Sequence, residues 1–66
     1  MSVAKTIEIT AESAESFGDA MRKGIHKASD SLHQIRSAWL KDQTVLVEEG
    51  EVSGYRVRML VTFEIE

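Results

Sequence analysis

Tyr55-Arg56-Val57-Arg58-Met59-Leu60-Val61-Thr62-Phe63-Glu64-Ile65 alternates without a break. Tyr55, Val57, Met59, Val61, Phe63 and Ile65 share one parity, and Arg56, Arg58, Leu60, Thr62 and Glu64 share the other. A period of two places the odd set on one face of a strand, to be buried under whatever covers the sheet. The strand is expected over residues 52–65. Gly54 lies where Val52 and Tyr55 change parity, which marks an irregularity in the pairing.

Immediately upstream, Glu48-Glu49-Gly50-Glu51 reads as a hairpin turn, with Gly50 free to take a positive φ. Its carboxylates read as a solvated loop, since their spacing matches no calcium loop. The preceding strand, expected over residues 37–48, changes parity partway: Ala38 and Leu40 are even, Val45 and Val47 odd. A bulge near residues 42–44 reconciles the two halves. Ala38, Leu40, Val45 and Val47 then face the core, while Ser37, Trp39, Lys41, Thr44 and Leu46 point away.

Further upstream, Phe17, Ala20, Met21, Gly24, Ile25, Ala28, Leu32 and Ile35 recur at steps of three and four, which predicts one amphipathic helix. Ser13 is its expected N-cap, Glu15 suits its positive end, and it is expected to run to about Ile35. Gly24 on the apolar stripe predicts close approach of helix to strand. His26, Asp30 and His33 would share one stripe of such a helix and read as solvated side chains, so no metal site is assigned. Residues 3–10 form the first strand, with Val3, Ile7 and Ile9 opposite Thr6, Glu8 and Thr10. The expected fold is α+β, a β-α-β-β protomer whose three-stranded antiparallel sheet curls around one helix, a single domain over residues 1–66.

A core built from 66 residues buries only about 60% of the surface its unfolded chain exposes, so such chains need a staple. Cysteine is absent, which leaves self-association. With 8 basic residues against 11 acidic ones and no basic patch, nucleic acid is not among the expected partners. No apolar run approaches the roughly 20 residues of a membrane span, and residues 1–5 lack signal-peptide architecture, so a cytoplasmic protein without membrane association is expected. No nucleophile with a base, phosphate loop or buried carboxylate pair is evident, and no enzymatic activity is expected. The helix covers one sheet face; the other carries Ser37, Trp39, Thr44, Leu46, Arg56, Arg58, Leu60 and Thr62. That surface is too apolar to stand free and too polar for an ordinary core, and it carries the only tryptophan.

The segments Lys5-Thr6-Ile7-Glu8-Ile9, Ser13-Ala14-Glu15-Ser16-Phe17, Ala28-Ser29-Asp30-Ser31-Leu32 and Tyr55-Arg56-Val57 through Val61-Thr62-Phe63 resemble, in order and spacing, the dodecins. These are small flavin-binding proteins that assemble as hollow dodecamers of β-α-β-β protomers. The resemblance implies a homododecamer holding flavin, riboflavin or FMN, stacked at two-fold axes between symmetry-related tryptophans, with a glutamine on the third strand reading the ring edge. Counted back from Tyr55, the stacking position falls at Ser37 and the glutamine at Arg56. Trp39 lies two residues later on the same face, about 7 Å along the strand. Arginine donates but cannot accept, so Arg56 suits flavin carbonyls or a phosphate and not the ring N–H. The expected ligand residues are Ser37, Trp39, Thr44, Leu46, Arg56 and Arg58. The implied function is storage and buffering of flavin, with its photoreactivity quenched beside the indole. The alternative is an oligomeric scaffold that binds cations or another small molecule without flavin.

Overall fold

The computed structural model describes residues 3–66. Met1 and Ser2, which the expected domain over residues 1–66 includes, lie outside the described residues. The chain runs β1 (Ala4–Ser13), α1 (Phe17–Ala28), β2 (Ile35–Glu48) and β3 (Glu51–Glu64). This is the expected β-α-β-β order in an antiparallel sheet. The strands lie in the order β1-β3-β2, so the last strand is the central one. Its alternation explains that place: Val57, Met59 and Val61 are fully buried with Ala20, while Ile7, Ile9, Met21, Ile25 and Leu40 pack around them.

The helix is shorter than the stripe of apolar residues predicts, and its cap is Ser16. The Ser16 hydroxyl accepts from the Asp19 N–H at 2.9 Å, whereas the Ser13 hydroxyl accepts from the Glu15 N–H at 2.9 Å and donates to the Asp19 carboxylate. Ser13 therefore ends β1 and supports the cap from outside the helix. At the other end, Ser29-Asp30-Ser31 competes with the helical ladder through local bonds, the Ser29 hydroxyl reaching the His26 carbonyl at 2.6 Å. Gln34 then turns the chain at φ 58. Leu32 and Ile35 consequently lie beyond the helix, and Ile35 opens β2.

Gly24 makes the predicted close approach. A Cβ there would stand 2.9 Å from both Ala11 Cβ and Met59 Cε. Phe17 at the helix start meets Tyr55 edge-on, with ring centroids 5.1 Å apart.

The sheet pairing departs from a flat ladder at three points. Register shifts fall between Ile35 and Ser37, between Leu40 and Asp42, and between Leu46 and Val47 opposite the Val52 to Gly54 step. The expected slip in β2 is thus centred on Lys41, slightly before residues 42–44, and the Gly54 irregularity is present. Glu49 and Gly50 both take positive φ, 52 and 79, as a two-residue hairpin turn requires.

The helix packs on β1 and β3, and the β2–β3 hairpin extends past it. Val45 and Val47, expected to meet the helix, are instead exposed together with Val52. The molecule measures 51 × 19 × 13 Å and its radius of gyration is 13.5 Å, against about 11 Å for a compact chain of this length. Among the described residues no helix is long and apolar enough to cross a membrane.

Candidate functional site

The sheet face away from the helix is ordered in cross-strand rows fixed by the register. Thr6, Thr62 and Ser37 form a row of hydroxyls, with Thr6 and Thr62 hydrogen-bonded at 3.0 Å. The next row is Glu8, Leu60 and Trp39. Thr10, Arg58 and Asp42 follow, then Glu12, Arg56 and Thr44, and last Gly54 with Leu46. Trp39 is 65% exposed although it is the largest side chain in the protein. Half-buried Leu60 beside it extends the apolar surface.

The charged rows are internally paired. The bulge at Lys41 brings both Lys41 and Asp42 to this face. Lys41 Nζ reaches Glu8 at 3.1 Å. Arg58 Nε donates to both Asp42 oxygens at 3.1 and 3.0 Å, and its Nη2 donates to Asp42 as well. Arg58 Nη1 lies 3.8 Å from Glu8. Arg56 Nε donates to Glu12 at 2.7 Å. The Arg58 hydrogen bonds hold the Asp42 carboxyl below its ordinary value, and the same bonds raise the guanidinium above its own. Glu64 pairs with Arg36 at 3.2 Å.

All six expected ligand residues lie on this face, but within one chain they do not form a single cluster. Ser37 and Trp39 are at one end, while Leu46 is three rows beyond Trp39, about 20 Å along the strand. Leu46 lines a separate hollow of about 200 Å³ with Glu12, Ser13, Ala14, Ser53 and Gly54. Two larger hollows, of about 430 and 500 Å³, flank the helix and contain none of the six.

Sequence reading missed Glu12 and Asp42 as site residues. Continuing the alternation Thr6, Glu8, Thr10 by one step would have found Glu12. Asp42 gave no such signal, because the bulge reverses its parity. The helical stripe of His26, Asp30 and His33 does not form, since the helix ends at Ala28. Among the described residues no three histidine, cysteine or acidic side chains converge to hold a metal.

A family model described as Dodecin matches residues 3–66. The calcium dodecin of Mycobacterium tuberculosis is 32% identical over 65 residues, which cover 98% of this chain and 92% of that protein. The solved dodecin from Streptomyces davaonensis has a TM-score of 0.94 at 25% identity, covering 98% of this chain and 96% of that one. The crystal structure of the Mycobacterium tuberculosis calcium dodecin, described as having a novel calcium-binding site, gives 0.86 at 31% identity over 98% and 93%. With the same strand-and-helix architecture and a family match that runs almost end to end, the chain belongs to the dodecin family.

Proposed function

We propose that this protein holds flavin between copies of itself, as a storage and buffering protein of the cytoplasm rather than an enzyme. The observation that carries the reading is Trp39, 65% exposed on a sheet face that the chain's own helix does not cover. An indole in that position offers a stacking platform, and half-buried Leu60 widens it. The partner surface is a second copy in a homododecamer, because the exposed valines of the hairpin also lack cover. Excited flavin stacked on the indole would lose its energy by electron transfer instead of reacting.

Fluorescence titration of the purified, ligand-stripped protein with riboflavin and with FMN tests this. Quenching on binding is the expected result. Trp39→Ala should weaken binding by about 1–3 kcal/mol, taking base-on-aromatic stacking as the guide. An unchanged affinity in an intact assembly would remove Trp39 from the site.

A second reading, an oligomeric scaffold for cations, is favoured by the 32% identity to a protein named calcium dodecin. Glu8, Glu12, Asp42 and Glu64 are carboxylates available to it on this face, and each is already paired with a base. Calcium titration by calorimetry, with no response to either flavin, is the outcome that would favour it.

A further inference from the structure

The row of Glu8, Leu60 and Trp39, apolar over its Leu60 and Trp39 part, is flanked by unlike neighbours. On one side lie the uncharged hydroxyls of Thr6, Thr62 and Ser37; on the other lie Arg58 and then Arg56, each engaged by a carboxylate. Successive rows are about 7 Å apart, so the tail of a ring stacked on the apolar row reaches one side or the other. Resting on the flavin reading above, we infer that Glu12 and Asp42 are specificity residues: by holding Arg56 and Arg58 they reserve this face for a flat ring with an uncharged polyhydroxyl tail and disfavour its phosphorylated form.

Charge balance decides the case. Lys41, Arg56 and Arg58 face Glu8, Glu12 and Asp42, three against three: Lys41, Glu8, Arg58 and Asp42 form one connected set, and Arg56 and Glu12 a separate pair. A phosphate entering the charged rows meets guanidiniums whose charge is already balanced, Arg56 by Glu12 through Nε and Arg58 by Asp42 through Nε and Nη2, so it either shares the arginine with that carboxylate or displaces it. In either case the carboxylate stays beside a dianion and repels it. The hydroxyl row carries no such penalty, since threonine and serine both donate and accept, as sugar-like hydroxyls do. The arginines that look like phosphate ligands in the sequence are therefore neutralised by carboxylates of their own chain.

The test is the ratio of FMN to riboflavin affinity, followed by fluorescence in about 0.05 M and about 0.5 M salt. The wild-type protein should bind riboflavin at least as tightly as FMN, with a ratio insensitive to salt. Glu12→Gln releases Arg56 and should shift the ratio toward FMN by about tenfold at low salt, a gain that fades at high salt. Asp42→Asn should act in the same direction and more weakly, because Glu8 remains near Arg58. Adding Arg56→Gln to Glu12→Gln should abolish the gain. Circular dichroism and light scattering establish that each variant is folded and assembled.

A wild-type preference for FMN that fades with salt overturns the inference while leaving the stacking reading intact. So does a ratio unmoved in both Glu12→Gln and Asp42→Asn. Failure of either flavin to bind the wild type overturns the stacking reading, and the inference with it.

Discussion

Asp42 owes its place on the open face to a single extra residue in β2, and the persistence of its charge toward low pH chiefly to Arg58. Its carboxyl is held below the ordinary value of 3.8 chiefly by the Arg58 hydrogen bonds, with burial opposing. Asp19 is depressed too, first by the Ser13 hydroxyl and then by Lys23. A carboxylate with a depressed folded pKa stabilises the native state above its unfolded pKa, and that contribution is lost as pH falls through the folded value. Thermal midpoints should therefore hold between about pH 5 and 7 and fall below about pH 4. Asp42→Asn should flatten the acid side of that profile, as followed by circular dichroism across the range. An acid slope as steep in the variant as in the wild type would mean that Asp42 is not one of the groups responsible. Arg58, whose pKa is raised by the same hydrogen bonds, stays charged throughout this window.

Among the elements, the helix is held at a distance that only glycine allows. Gly24→Ala improves intrinsic helix propensity by about 1 kcal/mol, yet its Cβ would press Ala11 Cβ and Met59 Cε at 2.9 Å. Overpacking typically costs about 1–3 kcal/mol, so a net destabilisation of about 1 kcal/mol is expected in urea unfolding. Ala11→Gly in the same chain should relieve part of it, and a more stable Gly24→Ala protein would show that helix and sheet separate easily. The glycine, the strand alternations and the hairpin turn were readable because each is a local pattern with one structural solution. The helix ends were not. The residues from Leu32 to Ile35 keep the apolar spacing, and the backbone bonding of Ser29-Asp30-Ser31 outweighs it. Parity put Trp39 on the correct face, but which strand neighbours whom depends on tertiary pairing, and the pairing of Glu12 with Arg56 follows from that alone.

At the scale of the whole molecule, the 51 Å length and the exposed valines of the hairpin are what the proposed assembly would cover with further copies of the chain. Light scattering should give a mass near twelve times the 7.4 kDa chain. The thermal midpoint should rise with protein concentration, since assembly stabilises the folded form by mass action. A folded monomer at micromolar concentration with a concentration-independent midpoint would contradict the proposed assembly. The strand order carries one more consequence, for synthesis. β1 is made first but pairs with β3, from Ala4 against Glu64 to Ser13 against Tyr55. During translation at about 5–20 residues per second, its apolar face and that of the helix wait several seconds for a partner still inside the ribosome. Closure of this sheet therefore comes after translation has passed Glu64, and the nascent segment before it is the stretch on which a chaperone would act.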